Sequence, residues 1–102
     1  MEQIQREINE FVTEYELDTD PTSRVLDLVS EVGEVAKEVL KGSSYGKKDF
    51  APEREKWVEE LGDVLFSLIC LANSSNVNLD FALQSVVNKY RDRINMRGDA
   101  GS

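Results

Sequence analysis

Apolar residues recur every three or four positions through most of the chain. Ile4, Ile8, Phe11, Val12 and Tyr15 share one helical face and predict a first helix over about residues 2–16. Residues 17–21 interrupt the pattern. Asp20 followed by Pro21 supplies an N-cap and a first-turn proline for a second helix reaching about Lys41. Its expected core stripe is Val25, Leu28, Val29, Val32, Ala36, Val39 and Leu40, with Asp27, Glu31, Glu34 and Glu38 on the opposite side at about 100° per residue. Residues 42–46 hold a C-cap glycine and turn formers. Pro52 opens a third helix expected to reach about Asn73, and a polar turn over 73–78 precedes a fourth at about 79–96. The fourth offers Phe81, Ala82, Val86, Tyr90 and Ile94 as core candidates. No stretch alternates with period two for long enough to form a sheet. The expected fold is all-α, a four-helix bundle in one domain over residues 1–97, with 98–102 as an unstructured tail.

The third helix departs from a simple amphipathic pattern. Residues 64–72 are apolar nearly all round, Ser67 being the one polar member. A surface helix needs a single apolar stripe, so a helix apolar on every side must be surrounded. A domain of 102 residues can barely surround one of its own helices, which points to a homo-oligomer.

Set against this apolar background, a short acidic phrase occurs twice. Residues 31–35 run Glu, Val, Gly, Glu, Val; residues 60–64 run Glu, Leu, Gly, Asp, Val. Carboxylates three apart share a helix face, so Glu31 with Glu34, and Glu60 with Asp63, form two pairs. If the two helices pack together, four oxygen ligands converge, and their mutual repulsion calls for a cation. Hard oxygen donors without nitrogen or sulfur suit Mg²⁺ or Mn²⁺. Each phrase holds a mid-helix glycine, costing about 0.5–1 kcal/mol against alanine. Gly33 and Gly62 are expected to mark a close approach of helix backbones or room for a ligand. Asp63, one residue before the apolar run, is expected to point into a partly enclosed space. Glu38, one turn beyond Glu34, is a candidate to orient water; an exposed pairing with Lys37 or Lys41 accounts for it equally well.

Composition narrows the chemistry further. Twelve basic against twenty acidic residues give a net charge of −8, which disfavours a nucleic-acid surface. With no histidine, Ser-His-Asp triads, the usual zinc sites and di-iron bundles are excluded. The lone Cys70 permits no internal disulfide and is expected to be a buried thiol. No signal peptide is evident and the apolar run is too short to span a bilayer, so a cytoplasmic protein without membrane contact is expected. Lys89, Arg91 and Arg93 cluster late in the fourth helix. They could bind phosphate, or simply complement the helix dipole. Tyr45 and Trp57 are candidates for base stacking, with core or interface packing the alternative for Trp57.

Ser30, Glu31, Val32, Gly33, Glu34 and then Glu59, Glu60, Leu61, Gly62, Asp63, Val64, Leu65, Phe66 together resemble the MazG-type nucleoside triphosphate pyrophosphohydrolases of the all-α NTP pyrophosphatase superfamily. The resemblance covers about residues 22–97. It implies that Glu31, Glu34, Glu60 and Asp63 are Mg²⁺ ligands. It also implies a four-helix core assembled as a homodimer or homotetramer, with phosphate-binding positions around Lys89, Arg91 and Arg93. Ser30 stands where the fuller family pattern has a glutamate, which bears on substrate class more than on metal binding. The implied activity is Mg²⁺-dependent hydrolysis of a nucleoside triphosphate, a non-standard nucleotide or a dNTP, to monophosphate and pyrophosphate, in sanitation of the nucleotide pool. The alternatives are a phosphoribosyl-ATP pyrophosphohydrolase-like enzyme, a helical interaction module and a metal-binding regulatory subunit.

Overall fold

Capping chemistry sets the ends of the helices. In the computed structural model, which describes residues 1–98, α1 spans Glu2–Glu14, α2 Pro21–Gly42, α3 Arg54–Ser74 and α4 Leu79–Arg97. Among the described residues there is no strand. Asp20 Oδ1 accepts from the Ser23 amide at 2.7 Å, and this hydrogen bonding holds the Asp20 carboxyl below its ordinary value. The third helix starts two residues later than Pro52 suggests, because Glu53 is its cap and accepts from the Glu55 and Lys56 amides. Asn78 caps α4 through the Phe81 amide. Gly98 closes α4 with φ 83°, a left-handed conformation that favours glycine. The rest of the expected tail, residues 99–102, lies outside the described residues.

The principal packing is α2 on α3, and α1 lies across α3. The turn after α3 swings the chain through 103° into α4, which packs extensively on no other helix and buries no residue. Its expected core residues Phe81, Val86, Tyr90 and Ile94 are therefore exposed. Gln5 fastens α1 to the α3–α4 turn. Its amide donates to Asn73 Oδ1 and the Val77 carbonyl, its Oε1 accepts from the Leu79 amide, and Asn73 Nδ2 donates back to the Gln5 carbonyl. At the other end, Phe50 folds over Gly42, where a Cβ would come within 2.8 Å of the ring, and this closes the α2–α3 loop.

The seam of the α2–α3 pair differs from the stripe expected of α2. Its less exposed positions are Arg24, Leu28, Glu31, Val35, Glu38 and Gly42, while Val25, Val29, Val32 and Val39 stand open. The acids Glu31 and Glu38 thus face α3 rather than lying opposite the packed side. On α3, Trp57, Glu60, Val64 and Ser67 face the seam, while Val58, Leu61, Leu65 and Leu68 are exposed. In each helix the open apolar set is one residue, about 100°, beyond the seam set. The helices run antiparallel, so both open sets turn to the same side and form one continuous apolar face.

That face and the sparsely packed α4 leave the chain expanded. The radius of gyration is 16.7 Å, against about 13 Å for a compact domain of this length. The accessible surface is 7528 Å², against about 5,800 Å² for a compact monomer of this mass.

Candidate active site

Glu31 reaches the seam from α2, and Glu60 and Asp63 approach it from α3, so that one carboxylate oxygen from each lies within 4.8 Å of the others. The register produces this cluster. Glu31 and Glu60 are both seam residues, and Asp63, three positions beyond Glu60, lies at the rim and is exposed. The enclosed carboxylate is therefore Glu60, only 4 % exposed, rather than Asp63 as its place before the apolar run suggests. Glu60 Oε1 accepts from Lys56 Nζ at 2.8 Å, while its Oε2 is buried with no hydrogen-bond partner. A buried carboxylate oxygen without a donor is costly.

Electrostatics in the cluster match that geometry. Desolvation, then the charges of Asp63, Glu60, Glu34 and Asp27, push the Glu31 carboxyl above its ordinary value of 4.5. The Lys56 ammonium is held above 10.5, first by its hydrogen bond to Glu60 and then by the charges of Glu60, Glu38 and Glu59, against a smaller opposing desolvation. Lys56 thus faces a concentration of carboxylates. The donor set is all oxygen, one buried oxygen lacks a partner, and the residues present fit a hard divalent cation. Lys56 lies outside the two acidic phrases, although its spacing of four from Glu60 signals the pair.

The other expected site residues are placed unequally. Glu34 is outside the three-carboxylate group, exposed, with Lys37 at 3.7 Å from its Oε1. Glu38 is buried in the seam, with Lys41 at 3.9 Å. Gly33 and Gly62 have nothing within 4 Å of a would-be Cβ, so neither marks a close backbone approach within the chain. Trp57 lies one turn before Glu60 on the seam face and packs edge-on against Phe50 at 5.0 Å, whereas Tyr45 is open in the loop at 72 % exposure. Lys89, Arg91 and Arg93 are on α4, which has no extensive packing on the helices that carry the carboxylates. Lys89 and Arg93 flank the Tyr90 ring at 5.0 and 5.9 Å, and Arg91 reaches Asn88 Oδ1 at 3.4 Å. Cys70 is buried, and burial pushes its thiol up. Among the described residues no single helix is long and apolar enough to cross a membrane.

Known proteins share this fold. The crystal structure of a Bacillus-conserved MazG protein, a nucleotide pyrophosphohydrolase, superposes with a TM-score of 0.72 at 38% identity, over 87% of this chain and 86% of that one. The crystal structure of the putative pyrophosphatase YPJD from Bacillus subtilis gives 0.74 at 36% identity, over 91% and 94%. An uncharacterized protein of Bacillus subtilis (strain 168), YpjD, is 38% identical over 96 residues, covering 91% of this chain and 85% of its own length. Residues 19–99 match the family model of the MazG nucleotide pyrophosphohydrolase domain. With both acidic phrases inside that match and the four-helix fold shared with a nucleotide pyrophosphohydrolase, the chain belongs to the MazG nucleotide pyrophosphohydrolase family.

Proposed function

We propose that the protein hydrolyses a nucleoside triphosphate to the monophosphate and pyrophosphate with Mg²⁺ held by Glu31, Glu60 and Asp63, and by Glu34 once it releases Lys37. The observation that carries this reading is the meeting of three carboxylates from two helices, one of them buried with an unpartnered oxygen. A divalent cation bound there supplies positive charge for the phosphate oxygens and lowers the pKa of a nearby water.

The chain's own groups do the rest. Lys56 orients Glu60 through Oε1 and leaves Oε2 without a partner. Water oxygen attacks the α-phosphorus, the bond from that phosphorus to the bridging oxygen breaks, and pyrophosphate leaves with the electron pair. Because there is no histidine, a carboxylate takes the water proton. Substrates would be non-standard nucleotides or dNTPs of the cytoplasmic pool.

We further assign the open face of Val25, Val29, Val32, Val58, Leu61, Leu65 and Leu68 to a homodimer or a pair of dimers. An exposed apolar face of this extent marks an interaction surface. Lys89, Arg91 and Arg93, carried on the sparsely packed α4, would then neutralise pyrophosphate at a neighbouring subunit's carboxylates. The test is pyrophosphate release from a panel of triphosphates with and without Mg²⁺. No release under any condition would return the chain to a binding or regulatory role. Light scattering reports the assembly: Leu65→Glu places a charge in the apolar contact and should shift the mass toward 11.5 kDa, and a wild-type protein already at that mass would defeat the oligomer.

A further inference from the structure

A polar cavity opens between α1, the first loop, α2 and α3, two turns from the carboxylates. It has a volume of about 220 Å³, and Asn9 of α1, Asp18 and Thr19 of the first loop, Arg24 of α2, and Cys70 and Ser74 of α3 line it. Arg24 is seven residues before Glu31 and Cys70 seven after Asp63, so about 10 Å of helix separates cavity and cluster along both walls. That span suits a nucleotide reaching from its polyphosphate across the ribose to its base. Asp27 lies between the two places: it is 4.0 Å from Arg24 and adds its charge to the field at Glu31. On the other wall Phe66, between Asp63 and Cys70, meets Phe11 of α1 edge-on at 6.1 Å.

Arg24 gives this cavity its chemistry. The side chain is only 10 % exposed, yet among the described residues just one hydrogen bond to protein engages it, from Nη2 to the Leu17 carbonyl at 2.6 Å. Asp27, at 4.0 Å, is too distant to accept another, so among the described residues the guanidinium keeps N–H groups without a protein acceptor beside the cavity it lines. With Asp18 and Asp27 close by, a phosphate would meet repulsion there. A neutral ring edge bearing a carbonyl oxygen would not. Such an oxygen accepts from a guanidinium, whereas the amino group of adenine would set donor against donor.

We propose that this cavity receives the base of the triphosphate and that Arg24 selects bases presenting a carbonyl oxygen over adenine. The assignment rests on the pyrophosphohydrolase reading for its polyphosphate, so the test separates the two. Inosine and adenosine nucleotides differ in the group that Arg24 would meet. With Mg²⁺ present, kcat/KM for ITP should exceed that for ATP by about ten- to a hundredfold, the worth of one charged hydrogen bond. Arg24→Met should bring the two within about threefold by lowering ITP turnover. If that variant unfolds because the Leu17 tether is lost, Thr19→Trp on the exposed rim fills the same space. It should raise KM for ITP about tenfold while the melting shift produced by Mg²⁺ stays as in wild type. In parallel, inosine without metal should perturb the amide resonances of Asn9, Thr19 and Cys70, and adenosine should do so less. Hydrolysis with equal ITP and ATP efficiencies, or inosine shifts confined to the Tyr45 and Trp57 end, would overturn the cavity assignment and leave the activity standing. No hydrolysis of any triphosphate, with inosine still bound at Asn9 and Thr19, would overturn the activity and leave the cavity as a nucleoside site.

Discussion

Gln5 and Glu60 are both buried polar side chains on helices that touch α3 or belong to it, and they are treated in opposite ways. Gln5 is 8 % exposed and its side chain is fully engaged, with the Asn73 side chain, the Val77 carbonyl and the Leu79 amide as partners. Glu60 is more deeply buried and carries charge, yet one of its oxygens meets nothing. The first arrangement stabilises: it joins α1 to a turn some seventy residues away and leaves no group unmet. The second costs stability in the isolated chain, and Glu31 and Asp63 beside it increase the repulsion. A protein retains such an arrangement where something else completes it. Satisfaction marks the scaffold, and its absence marks the working site.

Substitutions can break that contrast. The largest effect is expected at the unsatisfied end. Glu60→Gln or Asp63→Asn should reduce pyrophosphate release by about a hundredfold or more, since a lost ligand exceeds the 10- to 100-fold typical of a supporting residue. Metal-free thermal stability should hold or rise, because like-charge repulsion is relieved. Near-wild-type turnover at saturating Mg²⁺ in either variant would remove that residue from the site.

Next in size is the response to metal. Mg²⁺ or Mn²⁺ should stabilise the wild type by about 2.7 kcal/mol when free metal is a hundredfold above its dissociation constant. The gain should shrink strongly in Glu31→Gln and little in Glu2→Gln, which lies on α1 away from the cluster. Equal gains in both, reproduced by NaCl at matched ionic strength, would indicate general screening of a −8 chain.

The reciprocal experiment is at the satisfied end. Gln5→Leu should cost about 1–3 kcal/mol in chemical denaturation, because Asn73 and the Leu79 amide lose their partners inside the fold. Its Mg²⁺-induced melting shift should match that of the wild type. A change in both together would mean that the two regions are coupled.

The smallest effect is in pH. The folded chain holds the Glu31 proton above the ordinary value of 4.5, so between that value and the folded one the native state binds more protons than the unfolded state. Metal-free stability should accordingly fall as pH rises through the window just above 4.5, then level off. Denaturation curves from about pH 4 to 7 should show this slope in wild type and a flatter one in Glu31→Gln. A slope of the opposite sign would mean that the cluster is not repulsive.

Local periodicity was enough to place four helices and to set Glu60 and Asp63 within one turn of each other, because helix geometry and capping depend on neighbours within one turn. Asp20, Asn78 and Gly98 act through such neighbours. Burial is different, since it depends on what another helix presents. The α2 stripe of Val25, Val29, Val32 and Val39 has the pattern of a core face and stands open, while Arg24, Glu31 and Glu38 occupy the seam. Hydrophobic pattern identifies a face that seeks cover, but not whether the same chain supplies it. Tertiary register alone brought Glu31 against Glu60 and Asp63, left Glu34 with Lys37, and set the buried Arg24 over a cavity. Each of these depends on elements widely separated in the chain meeting at one place, where a shift of a single residue turns a side chain about 100° away.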